Sequence, residues 1–240
     1  MNIWLDSRYS LCEGGNHIKL IKQTQPLAYK EHAYDEIKQG IVSHLIPEGS
    51  LLSERVLSEQ FGISRTPLRE AIQRLELEGW VTSLPRKGII VKSINLQDVK
   101  EVMQIRKANE LLVIELLIGN ITNEQIKQIR QQFIPSKILD EKTILPFADG
   151  DKFHIQLAKH CGNQRLLQLL KNLSSQMQWF GYWALQVDGR AKEVIHEHAL
   201  ILDAIKGKKI KKAQRYAIEH LEHTEAALLE GLKIRDRSSK

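Results

Sequence analysis

Apolar side chains recur every three to four positions along most of this chain, the spacing of helices that bury one face. The rhythm predicts helices over Tyr29–Leu45, Glu54–Phe61 and Arg65–Glu78 in the first third. It then lapses, and Val81–Val91 reads as two short apolar strands joined through Pro85-Arg86-Lys87-Gly88, a hairpin. Ile46-Pro47-Glu48-Gly49 and Phe61-Gly62-Ile63 read as turns punctuated by proline and glycine. After a short linker at Lys92–Leu96 the helical period returns over Val99–Leu117, Asn123–Phe133, Pro146–Cys161, Gln164–Leu185, Arg190–Ile205 and Lys209–Leu232. The pattern predicts a mainly α chain in two folded parts. Residues 26–94 would form three helices with a β-hairpin wing, and residues 95–240 an all-helical bundle. At 240 residues there is length for each part to bury its own core. Residues 1–25 carry no such period and read as a polar N-terminal extension, either disordered or a start-site artefact.

Two short helices about a tight turn, followed by a hairpin, form a winged helix-turn-helix, whose second helix enters the major groove of DNA. On Arg65–Glu78 the core-facing stripe is Leu68, Ala71, Ile72 and Leu75. Its centre lies roughly 70° from Arg65 and 110° from Arg69 on a 3.6-residue helix, so its burial turns Arg69 outward and leaves Arg65 on the flank. Ser64 suits the N-cap, with a hydroxyl able to accept an orphan backbone N–H. Arg65 and Arg69 are the candidate base contacts, joined by Thr66, by Arg55 on the preceding helix, and by Arg86, Lys87 and Gly88 at the wing tip. Gly88 would supply a permissive backbone there. The plainer alternative is that these arginines are solvated charges with i,i+4 partners and the wing a solvated turn. The run Ser64-Arg65-Thr66-Pro67-Leu68-Arg69-Glu70-Ala71, then Arg74-Leu75 and Glu78-Gly79-Trp80-Val81, resembles the signature of the GntR superfamily of bacterial transcription regulators. Upstream, Gly49-Ser50-Leu51-Leu52-Ser53-Glu54-Arg55-Val56-Leu57-Ser58 is similar to that family's first half.

Charge does not make this argument by itself. The formal net charge is +6, yet residues 26–95 hold nine basic and nine acidic side chains, and the excess lies in residues 96–240. Arrangement, not total charge, supports DNA binding. Two cysteines, Cys12 and Cys161, make no disulfide framework. The longest apolar stretch, near Leu111–Ile118, is broken by Glu115 and too short to span a bilayer, and Met1–Gln25 lacks the pattern of a secretory leader. A cytoplasmic protein that avoids the membrane is expected.

A second constellation lies in the helical part. His154 shares a face with Phe147, Leu157 and Cys161; His198 with Ile195, Leu202 and Ile205; His220 with Ala213, Ala217, Thr224 and Ala227. Three imidazoles from three helices could meet inside the bundle, where neutral nitrogen ligands suit Zn²⁺, Ni²⁺ or a similar divalent ion. The alternative for any one is a hydrogen-bonded core histidine. Arg106 with Glu110, Phe153-His154 before Gly162-Asn163, Glu197-His198 before Asp203-Ala204-Ile205, and His220-Leu221 resemble the FCD effector domain of FadR-type GntR regulators. That resemblance implies a divalent metal held by an Asp and three His, with His154, His198 and His220 in the histidine positions. The family's Asp lies four residues before the first His, where this chain has Gly150. Asp151, within roughly 60° of His154 on the helix, is the first replacement considered. Asp149, or no carboxylate at all, are the others.

Arg106 could fork onto an effector carboxylate or pair with Glu110 at i+4. Trp179, Phe180, Tyr182 and Trp183 could line a pocket, or be plain core or dimer interface. In Lys206–Lys212, Gly207 is expected to end a helix and the lysines to be solvated. His160, His196 and His223 read as surface. The expectation is a homodimeric regulator, a repressor by resemblance, that binds a palindromic operator in double-stranded DNA and responds to a small carboxylate metabolite beside the metal. The alternatives are a metal-dependent enzyme using the three-His centre, and a DNA-binding regulator whose metal is purely structural.

Overall fold

The computed structural model describes residues 25–135 and 150–238. The expectations for the N-terminal extension, and for Pro146, Phe147 and Asp149, lie outside them. The chain divides into two units between Ser93 and Ile94.

In the first unit, α1 (Gln25–Val42), α2 (Glu54–Phe61) and α3 (Arg65–Leu77) accompany three strands, β1 (Leu51–Leu52), β2 (Val81–Leu84) and β3 (Gly88–Val91). Leu68, Ala71, Ile72 and Leu75 of α3 are buried and pack toward α1, whose Ala33, Ile37 and Ile41 are buried in turn. Each buried leucine or isoleucine contributes about 1.5–3 kcal/mol, which outweighs any preference of the exposed face and fixes how α3 is rotated. Gly62 ends α2 in the left-handed conformation, with φ 61°. The Ser58 hydroxyl donates to the Ile63 carbonyl at 2.5 Å, closing the turn. Ser64 is the N-cap of α3, but its side chain makes no capping hydrogen bond, contrary to expectation.

The sheet order is β1-β3-β2, all antiparallel, with Leu51 opposite Ile90 and Val81 opposite Val91. The two-residue β1 escapes a search for alternation. Gly88 has φ +123°, and a Cβ there would lie 2.6 Å from the Leu52 carbonyl oxygen. Glycine is therefore required for β1 to reach β3. At the wing tip, Lys87 N–H donates to Leu84 C=O at 3.0 Å, and Arg86 takes φ 64°.

Glu78, the residue after α3, gathers the unit's elements. It accepts from Tyr34 Oη at 2.6 Å and Lys38 Nζ at 2.9 Å on α1, Arg74 Nε at 3.1 Å on α3, and Trp80 Nε1 at 3.2 Å. Partial burial pushes its pKa up, but the hydrogen bonds from Tyr34 and Lys38 outweigh that and hold it at about 2. A carboxylate held low contributes stability above its ordinary value of 4.5, and that contribution is lost as pH falls toward 2. Glu78→Gln keeps the shape and removes the charge. It should destabilise this unit by about 1 kcal/mol at pH 7, read as a lower thermal midpoint, and the gap should close progressively as melts are recorded from pH 4.5 down toward pH 2.

The second unit contains, among the described residues, α4 (Leu96–Leu117), α5 (Asn123–Phe133), α6 (Gly150–Lys159), α7 (Gln164–Ala184), α8 (Arg190–Lys206) and α9 (Ile210–Ser238). Reciprocal capping boxes, Asn95 with Asp98 and Thr122 with Gln125, start α4 and α5. Gly207 caps α8, as expected. Phe133, Phe153, Leu157, Leu170, Ile201 and Leu202 belong to the core. Trp179 and Phe180 are buried, whereas Tyr182 is exposed. The short α6 lies against α4 and α7, and α9 packs on α4, α7 and α8. No helix among the described residues is long and apolar enough to cross a membrane.

Candidate metal centre and nucleic-acid interface

Core-facing positions on three helices bring His154 (α6), His198 (α8) and His220 (α9) together, each at most 2% exposed. Their ring centroids lie 4.8–5.7 Å apart, and one ligand atom from each falls within 4.8 Å of the others. Two of the rings are oriented by carboxylates. His154 Nδ1 donates to Glu110 Oε2 at 2.9 Å, and His220 Nδ1 to Glu197 Oε2 at 2.6 Å. A carboxylate accepts only, so the proton stays on Nδ1 and the Nε2 lone pair is left for a ligand.

Each carboxylate is held by an arginine. Arg106 Nη2 donates to Glu110 Oε1 at 3.1 Å, and Arg190 forks onto both oxygens of Glu197 at 2.9 Å. The result is two Arg–Glu–His relays converging on one point. His198 has no such orienter. It stacks on Phe153 with centroids 3.8 Å apart, and neither of its nitrogens has a hydrogen-bond partner; His154 Nε2 has none either.

Buried polar nitrogens without partners are costly, about 1–3 kcal/mol each, unless something binds them. Burial, then the neighbouring His220 and His154, pushes the pKa of His198 well below its ordinary value. Burial brings His220 down to about 4 against the pull of Glu197. Both rings are thus neutral at pH 7, the form that binds a metal. Glu110 is also at about 2: burial raises it, and His154 and Arg106 more than reverse that. Three buried or half-buried carboxylates (Glu110, Asp151, Glu197) face two guanidiniums (Arg106, Arg190), an imbalance that a divalent cation would reverse to a single positive charge. The donor set fits a metal.

Asp151 is not brought into this cluster. Its Oδ1 accepts from Arg106 Nη1 at 2.5 Å and its Oδ2 from the Ser174 hydroxyl. Of the two readings of Arg106, the structure shows the ion pair, doubled: the side chain is 1% exposed and bound to both Glu110 and Asp151. To fork onto an effector it would first have to release one of them. Helical spacing by itself assigns no orienting role to Glu110, Glu197 or Arg190. A signal existed, since Arg106 and Glu110 occupy the same core stripe of α4 as Val99, Met103, Val113 and Leu117. His223, read as plain surface, donates to Glu197 Oε1 at 2.7 Å. An open groove of about 780 Å³ between α8 and α9 reaches the centre through Arg190, Glu197 and His220.

In the first unit Arg55, Arg65, Thr66, Arg69, Arg86 and Lys87 are all exposed, on α2, the first turns of α3 and the wing. Arg69 Nε donates to Glu54 at 2.9 Å, tying α3 to the start of α2 and leaving its terminal nitrogens for an outside acceptor. Arg55 pairs with Glu59 at 2.9 Å, the i,i+4 arrangement of the plainer reading. Arg65 has no ion-pair partner among the described residues.

Comparison with known proteins matches both units. Residues 29–91 match the family of bacterial regulatory proteins called gntR, and residues 101–223 match the FCD domain. A helix-turn-helix-type transcriptional regulator of Bacillus subtilis, YdhC, is 27% identical over 84% of this chain and 92% of its own. The gluconate operon transcriptional repressor of Bacillus licheniformis is 29% identical over 72% of this chain and 74% of its own. A solved GntR regulator from Rhodococcus shares the fold at a TM-score of 0.67 and 17% identity, covering 85% of this chain and 98% of that one. These matches answer the enzyme alternative, because the matched family and the named relatives are transcription regulators. The chain belongs to the GntR family of bacterial regulatory proteins, in the FadR-type branch that carries an FCD domain, and is a DNA-binding transcription regulator, not an enzyme.

Proposed function

We propose that the protein is a homodimeric, cytoplasmic repressor that binds a palindromic operator and is controlled by a small carboxylate metabolite held at a divalent metal. The observation that carries this reading is the meeting of three buried imidazoles, with nitrogens of His154 and His198 left unpartnered, in the core of the second unit. His154, His198 and His220 would hold the ion, with Zn²⁺ or Ni²⁺ suited to nitrogen ligands. When bound, it supplies Lewis-acidic positions for the oxygens of an anion. The single positive charge left after the buried ion pairs are counted favours a carboxylate, and one relative's name refers to the gluconate operon, gluconate being a carboxylate. Arg65, Thr66 and Arg69 would read the major groove, while Arg55, Arg86, Lys87 and Gly88 position the unit on the backbone. Two-fold symmetry of the dimer would be mirrored in the operator. An effector that binds one arrangement of the bundle better shifts the DNA-binding equilibrium by its differential affinity, and by no more.

Selection of binding sites from a random duplex library by the full-length protein should yield a palindrome. A panel of carboxylates titrated against metal-loaded protein on that site should include one that lowers operator affinity by roughly 5–150-fold, with the effect lost on chelation. A carboxylate that binds the protein yet leaves operator affinity unchanged sinks the regulatory reading. Chelation that melts the second unit without altering any ligand response favours a structural metal instead.

A further inference from the structure

We infer that this chain holds its metal by His154, His198 and His220 without Asp151, which Arg106 and Ser174 keep away from the ion. The inference rests on the metal reading above and specifies its ligand set. Position 150, one full turn and more before His154, stacks on the same side of α6 and is a glycine here. The adjacent Asp151 is buried and close in sequence, yet both its oxygens are taken, one by the Arg106 guanidinium and one by the Ser174 hydroxyl. Arg106 is buried and makes its two ion pairs with Asp151 and Glu110. Turning Asp151 toward the histidines would leave that guanidinium, buried from solvent, short of one counter-charge.

The consequence runs along a chain of contacts. Asp151 and Glu110 divide Arg106 between them, and Glu110 in turn fixes His154 Nδ1. Asp151 is therefore a positioning residue, separated from the metal by Arg106, Glu110 and His154. An ion bound by these three imidazoles without Asp151 would keep its full double charge among them and so favour an anionic partner. An all-nitrogen set also discriminates against Mg²⁺ and Ca²⁺, which take oxygen ligands.

The test loads full-length, chelator-stripped protein with Co²⁺ and records the visible d–d absorption, which reports ligand number and type, together with affinity by competition. Asp151→Asn should keep the wild-type spectrum and lose no more than about tenfold in affinity, the low end for outer partners of a ligand. His154→Ala should lose the spectrum. Gly150→Asp, which adds a carboxylate on the histidine side, should change the spectrum and tighten binding about tenfold or more. A changed spectrum in Asp151→Asn, with affinity falling as far as in His154→Ala, overturns the inference. So does a Gly150→Asp protein with wild-type spectrum and affinity, a result that does not depend on how well the asparagine variant folds. Wild-type protein that takes up no Co²⁺ would overturn the metal reading itself, and this inference with it.

Discussion

Gly231→Ala destabilises the second unit by about 3 kcal/mol or more, lowering its thermal midpoint by roughly 10 °C, as read by calorimetry of the full chain. Two effects of opposite sign compete. Gly231 is inside α9, where alanine is the better helix former by about 1 kcal/mol. Against that, a Cβ at this position would lie 2.0 Å from the backbone oxygen of Trp183 and 2.5 Å from its carbonyl carbon. The obstacle cannot rotate away, because Trp183 C=O accepts from Gln186 N–H at 3.2 Å in the turn that ends α7. α9 or the end of α7 must move by more than an ångström, and α9 packs on three other helices. Sterics should therefore win. Gly181→Ala is the matched control: it is also helical, and a Cβ there meets nothing within 4 Å. That substitution should raise the midpoint slightly. A stabilising Gly231→Ala would mean that the α7–α9 crossing is looser than the structure shows.

The elements that periodicity found are those whose ends coincide with the ends of their apolar stripe. Glu54–Phe61 and Asn123–Phe133 match the structure to the residue. α4 begins at Leu96 instead of Val99, because the Asn95–Asp98 capping box starts the helix before its first core residue. β1 was invisible for a different reason. Two residues cannot show alternation, and the strand exists because Gly88 lets the chain at Leu52 approach β3. The Ser64 cap shows the converse, a residue of the right type at the right position whose side chain makes no such bond.

At the site, burial was legible and partnership was not. Helical spacing was enough to turn His154, His198 and His220 inward, since that depends only on which face each helix buries. Who meets whom depends on contacts between helices far apart in sequence: Glu110 reaches His154 across 44 positions, and Glu197 reaches His220 across 23. Asp151 illustrates the boundary. Its rotation on α6 was readable, but the choice between histidines and Arg106 is made by α4 and α7, whose distance no spacing rule encodes.

Replacing Arg65 and Arg69 together by alanine should abolish sequence-selective DNA binding while leaving the fold intact. Both side chains are exposed and on the face opposite or beside the buried stripe of α3, so neither supports the core. The Glu54 partner of Arg69 is itself partly solvated, and such pairs contribute less than about 1 kcal/mol. As the proposed base contacts the same groups would be worth far more, because a guanidinium that forks onto a guanine contributes roughly 1–3 kcal/mol of discrimination. Two such losses would lower operator affinity by roughly 30- to 20,000-fold. The unit has little to fall back on, since its nine basic and nine acidic side chains give it no net attraction for the duplex. Fluorescence anisotropy on the selected operator and on a scrambled duplex, near physiological salt, separates the contributions. The double variant should bind both duplexes equally and weakly. Arg86→Ala with Lys87→Ala should instead weaken both in proportion and flatten the salt dependence by about two counterions. If the Arg65/Arg69 variant still prefers its operator, the base contacts lie elsewhere on the unit, and α3 is not the reading helix.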